Sequence, residues 1–533
     1  MVCAAQPEAV EAGVEMLEAG GNAVDAAIAT GLVAGVVDPQ MCGIAGFGNA
    51  QVWMPDDGVH LTVDFHGTSP GAVRPDMWED LLVGETRDGF GFIVEGNVND
   101  VGYQSITTPG ALKAYYEAQT RYGRLAWADV VAPAIRWAQE GFAIRPHVYH
   151  WWTEGATMGR VDNVERLRHT PAGQAIYFHP DGRLKQVGEI HSNPDLASTL
   201  ERIAAEGSDV FYTGELADII AADMATHGGL LSNDDLAGYE TIWHRPIHGR
   251  YRGRDVFSCH PPGGGVMVLQ MLNTLENFDL AAMGHNSVDY VRTVSETMKW
   301  ATIDKDTHVG DPEFIDVPLD RLTSPEYGAG VADRIRSGQK VSVPRVQGEP
   351  PDTTHVVAVD ADGNAFTMTH SLGMPSGVVT DGLGFMFNGC MGVFDPRPGR
   401  AGSLAPGKRR FSSLCPTIVF NEGGLEVVIG APGGTQIAMG VTQALLNVID
   451  FDMTMLEAVS APRFSGTSDA IDVCNRIPRR VTNGLEGEGY EVIRSPEGFG
   501  FGWVHGIRVT PDGLDGGADP GADGMALEAV LQP

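Results

Sequence analysis

Apolar residues recur at helical spacing in long stretches of this chain. Near the start, "PEAVEAGVEMLEAGGNAVDAAIATGLVAGVV" predicts two helices separated by Gly20 and Gly21, with Asn22 as the N-cap of the second helix. The second helix, Ala23–Val37, contains Asp25 and is shorter than the ~18 residues that a membrane span needs. We therefore expect a hairpin of two helices, the second of them buried.

Helical and strand patterns are unevenly distributed along the chain. Helical spacing of apolar residues continues in residues 109–142, 194–205, 216–226 and 286–303. In the last third, "VVAVDADGNAFTM", "CPTIVFNEGGLEVVIGAPGG" and "HGIRVTPDG" alternate apolar and polar residues and predict short strands, with one helix near 435–448. The pattern predicts helices in the first two-thirds and a concentration of strands after residue 353.

One strand pattern begins abruptly inside the chain. The stretch "PPDTTHVVAVDADGNAFTMTHSL" predicts a β-hairpin that turns at Asp362 and Gly363, and its first strand opens at Thr353. The preceding "SGQKVSVPRVQGEPPD" is irregular, and we expect a proteolytic break there. A threonine at a new N-terminus can use its own α-amine as the base for its hydroxyl, since the amine pKa of ~7.7–8.0 leaves it partly neutral. Two threonines at a strand start are also ordinary β-structure, so both interpretations stay open.

Composition and charge narrow the class of protein. The 533 residues are 43% hydrophobic, enough for a large core in two or more domains or one large α/β unit. Acidic residues outnumber basic ones by 69 to 36, which gives a net charge of −33, and the longest basic run lies in "GKRR". Binding of nucleic acid or an anionic membrane needs clustered cations, so we expect neither partner.

Cysteine and histidine spacing indicates no metal site. The six cysteines are scattered, without a CxxC pair or zinc-type spacing, and predict neither a disulfide framework nor a structural metal. His355 and His370 lie in the predicted hairpin, but two histidines without a third ligand are more typical of ordinary sheet residues. We expect no cofactor.

The first residues, "MVCAAQPEAV", have neither a basic segment nor the apolar segment of a secretory signal. We therefore expect a cytoplasmic protein, or a periplasmic one if a signal peptide precedes Met1.

Several long motifs occur in a fixed order: "GGNAVDAAIA", "VDFHGTSP", "TPGALKAYYEAQTRYG", "RPIHGRYRGRDVFSCHPPGGG", "GDPEFIDVPLDRLTSPEY", "TTHVVAVDADGNA", "RRFSSLCPTIVF", "GAPGGTQI" and "GADPGADG". In these motifs, from about Met1 to about Ala526, the chain resembles the γ-glutamyltranspeptidase family of N-terminal-nucleophile hydrolases. The resemblance implies an α+β fold, a four-layer αββα sandwich of two stacked, mainly antiparallel sheets between helical layers. It also implies self-cleavage between Asp352 and Thr353, which makes residues 1–352 the large subunit and 353–533 the small subunit of one intertwined domain.

The resemblance assigns the amide-cleaving residues. Thr353 matches the threonine that the family exposes by autocleavage and uses as its nucleophile. Ser371 stands where the family has a threonine that hydrogen-bonds to the nucleophile. Gly433 and Gly434 match the glycine pair whose backbone N–H groups form the oxyanion hole, a role that suits residues without a side chain.

The substrate-binding positions are kept only in part. Ser412 and Ser413 match the serine pair that contacts the donor's α-carboxylate in the family. His66 stands where the family has a carboxylate-binding arginine, and a histidine lacks that rigid, permanently charged fork. At the asparagine, glutamine and aspartate that hold the family's α-amino group, this chain has Gly373, Cys390 and Val393. We therefore expect the site to lack an ammonium partner and a fixed cation, while Ser412, Ser413 and His66 could still hold a carboxylate.

These assignments predict an amide hydrolase or acyltransferase that works through an acyl-Thr353 ester, on a small carboxyacyl amide and with water or an amine as acceptor. A glutathione hydrolase or γ-glutamyltranspeptidase with a rebuilt glutamate site is the alternative within the family. A self-cleaved binding protein without turnover is the alternative from another class, and the retained glycine pair argues against it. The expected assembly is a heterodimer of the two cleaved chains, and further dimerisation is left open.

Overall fold

Two large β-sheets form the centre of the computed structural model, which describes residues 1–86, 91–156, 159–343 and 353–530. In chain order the strands are β1 Val2–Ala4, β2 Phe47–Met54, β3 Val59–Phe65, β4 Leu82–Glu85, β5 Phe92–Val94, β6 Phe142–Ala143, β7 Ile190–His191, β8 Ile242–His244, β9 Ile247–Tyr251, β10 Arg254–Ser258, β11 Thr354–Val359, β12 Ala365–Ser371, β13 Pro375–Val379, β14 Met386–Asn388, β15 Thr417–Asn421, β16 Gly424–Gly430, β17 Phe464–Ser465, β18 Ile471–Val473, β19 Val492–Arg494, β20 His505–Thr510, β21 Gly513–Ala518 and β22 Met525–Leu527. One sheet has the order β22-β1-β11-β12-β2-β3-β8 and the other the order β21-β20-β16-β15-β10-β9. All neighbours in both sheets are antiparallel.

The helices flank these sheets. In chain order they are α1 Pro7–Glu18, α2 Ala23–Val37, α3 Ala111–Tyr122, α4 Trp127–Glu140, α5 Pro146–Thr153, α6 Asn163–Leu167, α7 Pro171–Tyr177, α8 Pro194–Glu206, α9 Asp209–Tyr212, α10 Glu215–Thr226, α11 Asn233–Ala237, α12 Gly265–Leu275, α13 Leu280–Met283, α14 Val288–His308, α15 Leu319–Leu322, α16 Pro325–Arg336, α17 Ile437–Phe451, α18 Met455–Ser460 and α19 Arg479–Gly487. None of the described helices is both long and apolar enough to cross a membrane.

Three apolar clusters hold the layers together. Between the sheets, Val357 and Ala365 of the seven-stranded sheet pack with Ile418, Val428 and Ile507 of the six-stranded one. The outer face of the seven-stranded sheet is covered by α1 to α4 and α8 to α10. The outer face of the other sheet is covered by α12, α14, α17 and α18. The four-layer αββα sandwich is confirmed.

The predicted helical hairpin is confirmed as α1 and α2. The side chain of Asn22 accepts hydrogen bonds from the backbone N–H groups of Val24 and Asp25, and the Asp25 carboxylate accepts one from the N–H of Asn22. This reciprocal capping box fixes the start of α2. Nearly all of α2 is buried, with contacts to β11 and β12, which explains its apolar sequence.

The hairpin of β11 and β12 also forms as predicted. Thr354 lies opposite His370, and Val359 lies opposite Ala365. Gly363, in the connecting turn, has a φ of 77°, a conformation that glycine adopts without steric cost. Because the strands are antiparallel, Thr353 before β11 and Ser371 at the end of β12 meet at the same edge of the sheet.

The two histidines of this hairpin face opposite sides of the sheet. His355 contacts the hydroxyls of Thr367 and Thr369 on the side of the six-stranded sheet. His370 contacts the hydroxyl of Tyr115 on the helical side. The pair cannot share a metal ion, in agreement with their interpretation as ordinary sheet residues.

The sequence pattern was less accurate on element boundaries. The helical pattern of residues 109–142 forms two helices, α3 and α4, because the chain breaks at Gly123. The last third holds α18 and α19 besides the predicted helix α17. Strands β1, β2, β3 and β8 come from the first part of the chain and complete the seven-stranded sheet. Segments before and after residue 353 therefore contribute to both sheets and alternate within the seven-stranded one, while their division into two subunits stays a prediction.

Candidate active site

A cavity opens at the edge of the sheet where Thr353 and Ser371 meet. The residues that line it come from distant parts of the sequence. The described residues that line it are Phe47, Arg160, Thr353, Ser371, Gly373, Met374, Gly389, Gly392, Val393, Arg410, Ser412, Ser413, Leu414, Gly434 and Ile437. Most of the predicted site residues therefore share one enclosure.

Thr353 is held tightly at the floor of this cavity. Its side-chain Oγ1 donates a hydrogen bond of 2.9 Å to Oγ of Ser371, which also accepts a 2.8 Å bond from the N–H of Gly373. The φ of Thr353 is 122°, which is strained for a β-branched residue. Asp352, the predicted other side of the cleavage site, lies outside the described residues.

Gly433 and Gly434 form a turn between β16 and α17. Their φ values are 132° and 54°, and a Cβ on Gly433 would come within 2.8 Å of the backbone of Gly502. Glycine is therefore required by both conformation and space. The N–H groups of the pair donate to no acceptor in the part of the chain that the structure describes. Gly434 lines the cavity, whereas Gly433 is not among the described residues that line it.

Ser412 and Ser413 lie in an extended segment that leads into β15, and both line the cavity. The N–H of Ser412 donates to the carbonyl of Pro262 at 2.9 Å, which fixes the segment. The Ser412 hydroxyl lies 2.5 Å from Nε2 of His66. The hydroxyl and N–H of Ser413 have no partner among the described residues.

His66 is fully buried and is not among the described residues that line the cavity. It follows β3 directly, and its Nδ1 lies 2.6 Å from Oδ1 of Asp64. Although burial raises the pKa of Asp64, the neighbouring His66 and Arg409 outweigh it and hold that pKa below its usual range. His66 therefore does not line the cavity, and it can influence a ligand there only through its hydrogen bond to Ser412.

A buried arginine lies beside Gly373 and Cys390, two of the positions predicted to have lost an ammonium partner. Nη1 of Arg410 is 3.3 Å from Sγ of Cys390, and Cζ of Arg410 lies 4.6 Å from the ring centroid of Phe47. A Cβ on Gly373 would come within 2.7 Å of Nη1 of Arg410. The small side chains at residues 373 and 390 thus make room for the guanidinium. Cys390 itself lies behind Arg410, whereas Gly373 and Val393 line the cavity.

The expectation that the site lacks a fixed cation is wrong, since Arg410 and Arg160 both line the cavity. The lining residues that the structure describes include no aspartate or glutamate. Arg410 lies within the motif "RRFSSLCPTIVF" and within the longest basic run, and that run is the signal that could have identified it. Arg160 lies in none of the motifs.

The described chain contains no cluster of three or more histidine, cysteine, aspartate or glutamate side chains that could hold a metal ion. None of the six cysteines forms a disulfide, and all are buried. Burial raises the pKa of the Cys259 thiol to about 12, which disfavours its reactive thiolate.

Comparison with known proteins agrees with this geometry. A model of the gamma-glutamyltranspeptidase family matches residues 9–529. An acylase ACY 1 proenzyme from Pseudomonas sp. (strain V22) is 38% identical over 535 residues, which cover 99% of this chain and 93% of that protein. A glutathione hydrolase proenzyme from Escherichia coli (strain K12) is 32% identical over 546 residues, which cover 98% of this chain and 90% of that protein.

A solved structure of an acylase also resembles this chain. A cephalosporin acylase from Bacillus halodurans superposes with a TM-score of 0.87 at 30% identity, covering 98% of this chain and 94% of that one. The four-layer fold, the cavity at Thr353 and these similarities converge on one class of enzyme. The chain belongs to the gamma-glutamyltranspeptidase family, and it is an N-terminal-nucleophile amide hydrolase or acyltransferase of the class that includes the acylases and the glutathione hydrolases.

Proposed function

We propose that the enzyme cleaves itself before Thr353 and then removes a small carboxyacyl group from an amide through an acyl-Thr353 ester. The observation that carries the proposal is the charge of the cavity. Arg410 and Arg160 line it together with Thr353, and no described lining residue is a carboxylate. A donor with a terminal carboxylate is attracted to such a site, whereas an α-ammonium group finds no anion to pair with.

Maturation follows from the position of Thr353. Its Oγ1 attacks the carbonyl carbon of Asp352, the peptide C–N bond breaks, and the acyl group moves from nitrogen to oxygen. Water then hydrolyses the ester and leaves Thr353 with a free α-amine. The strained φ of 122° supports cleavage at this bond, since release of the preceding residue removes that restraint. The products are residues 1–352 and 353–533.

Turnover uses the same hydroxyl. The α-amine accepts the proton of Oγ1 as the oxygen attacks the amide carbonyl of the donor, and the leaving amine takes that proton from the ammonium. The N–H groups of Gly433 and Gly434 would stabilise the oxyanion. Ser371 holds Oγ1 in place through its 2.9 Å hydrogen bond. Water or an amine then attacks the acyl ester and restores Thr353.

The far end of the acyl group would bind near Arg410. Its guanidinium is buried beside Phe47 and Cys390, so a carboxylate there meets a cation shielded from water. The hydroxyl and N–H of Ser413, which face the same cavity, can donate to the second carboxylate oxygen. A single charge-assisted hydrogen bond is worth ~1.5–3 kcal/mol, which corresponds to about ten-fold or more in kcat/KM.

Glutathione hydrolysis is the second candidate, favoured by the 32% identity to the relative of that name. A γ-glutamyl donor carries an α-ammonium, and Val393, Gly373 and Cys390 offer it no negative charge. Binding without turnover is disfavoured because Gly434, one of the proposed oxyanion-hole residues, lines the same cavity as Thr353.

A donor screen tests the proposal. The purified enzyme is assayed with p-nitroanilides of glutaryl, succinyl, oxalyl and L-γ-glutamyl groups, and with the neutral amide analogue of the glutaryl compound as matched control. We expect kcat/KM for the best carboxyacyl donor to exceed that for L-γ-glutamyl and for the neutral analogue by about ten-fold or more. If glutathione or the L-γ-glutamyl compound is the best substrate, the proposal is overturned.

The proposed assembly is a heterodimer of the two cleaved chains, with a further dimer as an outcome to be measured by light scattering.

A further inference from the structure

Asp64, His66 and Ser412 form a chain of hydrogen bonds that ends in the cavity. Oδ1 of Asp64 lies 2.6 Å from Nδ1 of His66, and Nε2 of His66 lies 2.5 Å from Oγ of Ser412. Asp64 and His66 are buried, at 4% and 0% exposure. A hydroxyl within hydrogen-bonding distance of an imidazole whose other nitrogen is held by a carboxylate is the general signature of an activated serine.

The carboxylate of Asp64 fixes which nitrogen of His66 carries a proton. The pKa of Asp64 is held low by His66 and Arg409 against the effect of burial, so Asp64 is a carboxylate that can only accept hydrogen bonds. Nδ1 of His66 must therefore carry a proton. When His66 is neutral, its Nε2 has a lone pair and can accept a hydrogen bond from the Ser412 hydroxyl. The oxygen of Ser412 then presents lone pairs rather than a proton to the cavity.

An oxyanion donor lies beside this serine. The N–H of Ser413, the residue after Ser412, donates to no acceptor among the described residues. In α/β-hydrolases the N–H of the residue after the nucleophile forms part of the oxyanion hole. Ser413 and Arg410 line the same cavity as Ser412. One hydrogen bond opposes activation, since the N–H of Leu414 donates to Oγ of Ser412, but at 3.3 Å it is long.

We propose that Ser412 is a second nucleophile of this cavity, with His66 as its general base, and that it reacts with small activated esters. Oγ of Ser412 attacks the ester carbonyl carbon, its proton passes to Nε2 of His66, and Asp64 stabilises the imidazolium. The C–O bond to the alcohol breaks, and the alcohol leaves with the proton from Nε2. Water then attacks the acyl-Ser412 ester by the same route and releases the acid.

Labelling with phenylmethylsulfonyl fluoride tests the proposal in the mature wild-type enzyme. Oγ of Ser412 would displace fluoride from sulfur and form a stable sulfonate ester, with the proton taken up by His66. Trypsin cuts after Arg410 and Arg463, so Ser412 lies on the fragment 411–463, separate from Thr353. We expect tandem mass spectrometry to find the sulfonyl group on Ser412 of that fragment.

Variants test the role of the base. General-base assistance contributes about 100-fold or more, so His66→Gln should slow the labelling of Ser412 by at least about 100-fold. Asp64→Asn keeps the imidazole and should slow the labelling by a smaller factor. Ser413→Ala is the matched control, since it keeps its N–H and should leave the label on Ser412. Circular dichroism and self-cleavage report whether each variant has folded.

The labelled positions found in the wild-type enzyme test the proposal even if a variant fails to fold. A label only on Thr353 or Ser413, or no label at all, would overturn the proposal. Equal labelling of Ser412 in a folded His66→Gln variant would overturn it too. None of these outcomes depends on which acyl donor Thr353 prefers.

Discussion

The guanidinium of Arg410 lies against the sulfur of Cys390, with 3.3 Å between Nη1 and Sγ. The same nitrogen would be 2.7 Å from a Cβ on Gly373. The sequence resemblance aligns residues 373 and 390 with two of the positions that hold an α-amino group in the family, so we propose that the Arg410 cation takes the place of that ammonium. This exchange of charge is the physical basis of the proposed donor preference.

Removal of this cation should abolish the preference. In Arg410→Gln we expect kcat/KM for the glutaryl anilide to fall by about ten- to 100-fold, because a charge-assisted hydrogen bond is lost. The neutral amide analogue should change by less than about three-fold. Arg410→Lys keeps the charge without the fork and should give an intermediate value. Equal losses for both donors would instead indicate damage to the fold, to be checked by thermal unfolding.

A new carboxylate in the cavity should shift the donor preference toward L-γ-glutamyl amides. Val393 lines the cavity, and Val393→Asp places an anion where the family has an aspartate. We expect the ratio of kcat/KM for L-γ-glutamyl over glutaryl donors to rise by about ten-fold or more. Val393→Asn is the control of equal shape and no charge. A ratio that moves equally in both variants would show that shape, not charge, sets the preference.

Ser371 should act mainly on the chemical step. Its Oγ accepts hydrogen bonds from Oγ1 of Thr353 and from the N–H of Gly373, so Ser371→Ala frees the nucleophile and leaves that N–H without its partner. We expect kcat to fall about ten-fold, with little change in KM. Ser371→Thr keeps the hydroxyl and should retain most activity. A variant that loses affinity but not kcat would contradict this role.

The contact between Thr353 and Ser371 could be predicted from local sequence, whereas their catalytic roles were implied by the family resemblance. The alternation around Asp362 and Gly363 predicts a hairpin, and a hairpin necessarily brings Thr353 next to Ser371. The fold class came from the ordered motifs rather than from the strand pattern. The sheet order depends on pairing between distant segments, as between β12 and β2, and no local pattern reports it.

The substrate-binding half could not be predicted in the same way. Whether Arg410 reaches the cavity depends on the space left by Gly373 and Cys390, which are distant in sequence. His66 was expected to contact the substrate as a replacement for an arginine. Asp64, two residues earlier, instead holds its Nδ1 and aims its Nε2 at Ser412.

Self-cleavage should be visible on a denaturing gel. We expect two chains of about 37 and 19 kDa from the 56.8 kDa precursor, in proportion to residues 1–352 and 353–533. Edman sequencing of the smaller chain should begin Thr-Thr-His-Val. Thr353→Ala should abolish both cleavage and activity, Thr353→Ser should keep part of each, and Thr354→Ala should be much milder. An intact chain with full activity would contradict the mechanism.

A buried carboxyl far from the sequence motifs should make the stability of the protein depend on pH. Asp38 caps the end of α2 and is 1% exposed. Burial raises its pKa to about 7, only partly offset by Arg145 and by the hydrogen bond from Gln6. The folded state therefore binds this proton more tightly than the unfolded state, whose aspartate has a pKa of ~3.9. Its contribution to stability is full below pH 4 and is lost as the pH rises through 7.

The asparagine of Asp38→Asn has no titratable proton, so this substitution should remove the part of the pH dependence of stability that comes from Asp38. We expect the free energy of unfolding of the variant, relative to wild type, to rise by on the order of 4 kcal/mol between pH 4 and pH 8, because the two pKa values differ by about 3 units at ~1.4 kcal/mol each. Urea unfolding at a series of pH values measures it. Asp57→Asn, at an exposed turn, is the control and should follow the wild type. A constant difference between Asp38→Asn and wild type across this range would show that Asp38 is already ionised in the folded protein at pH 4.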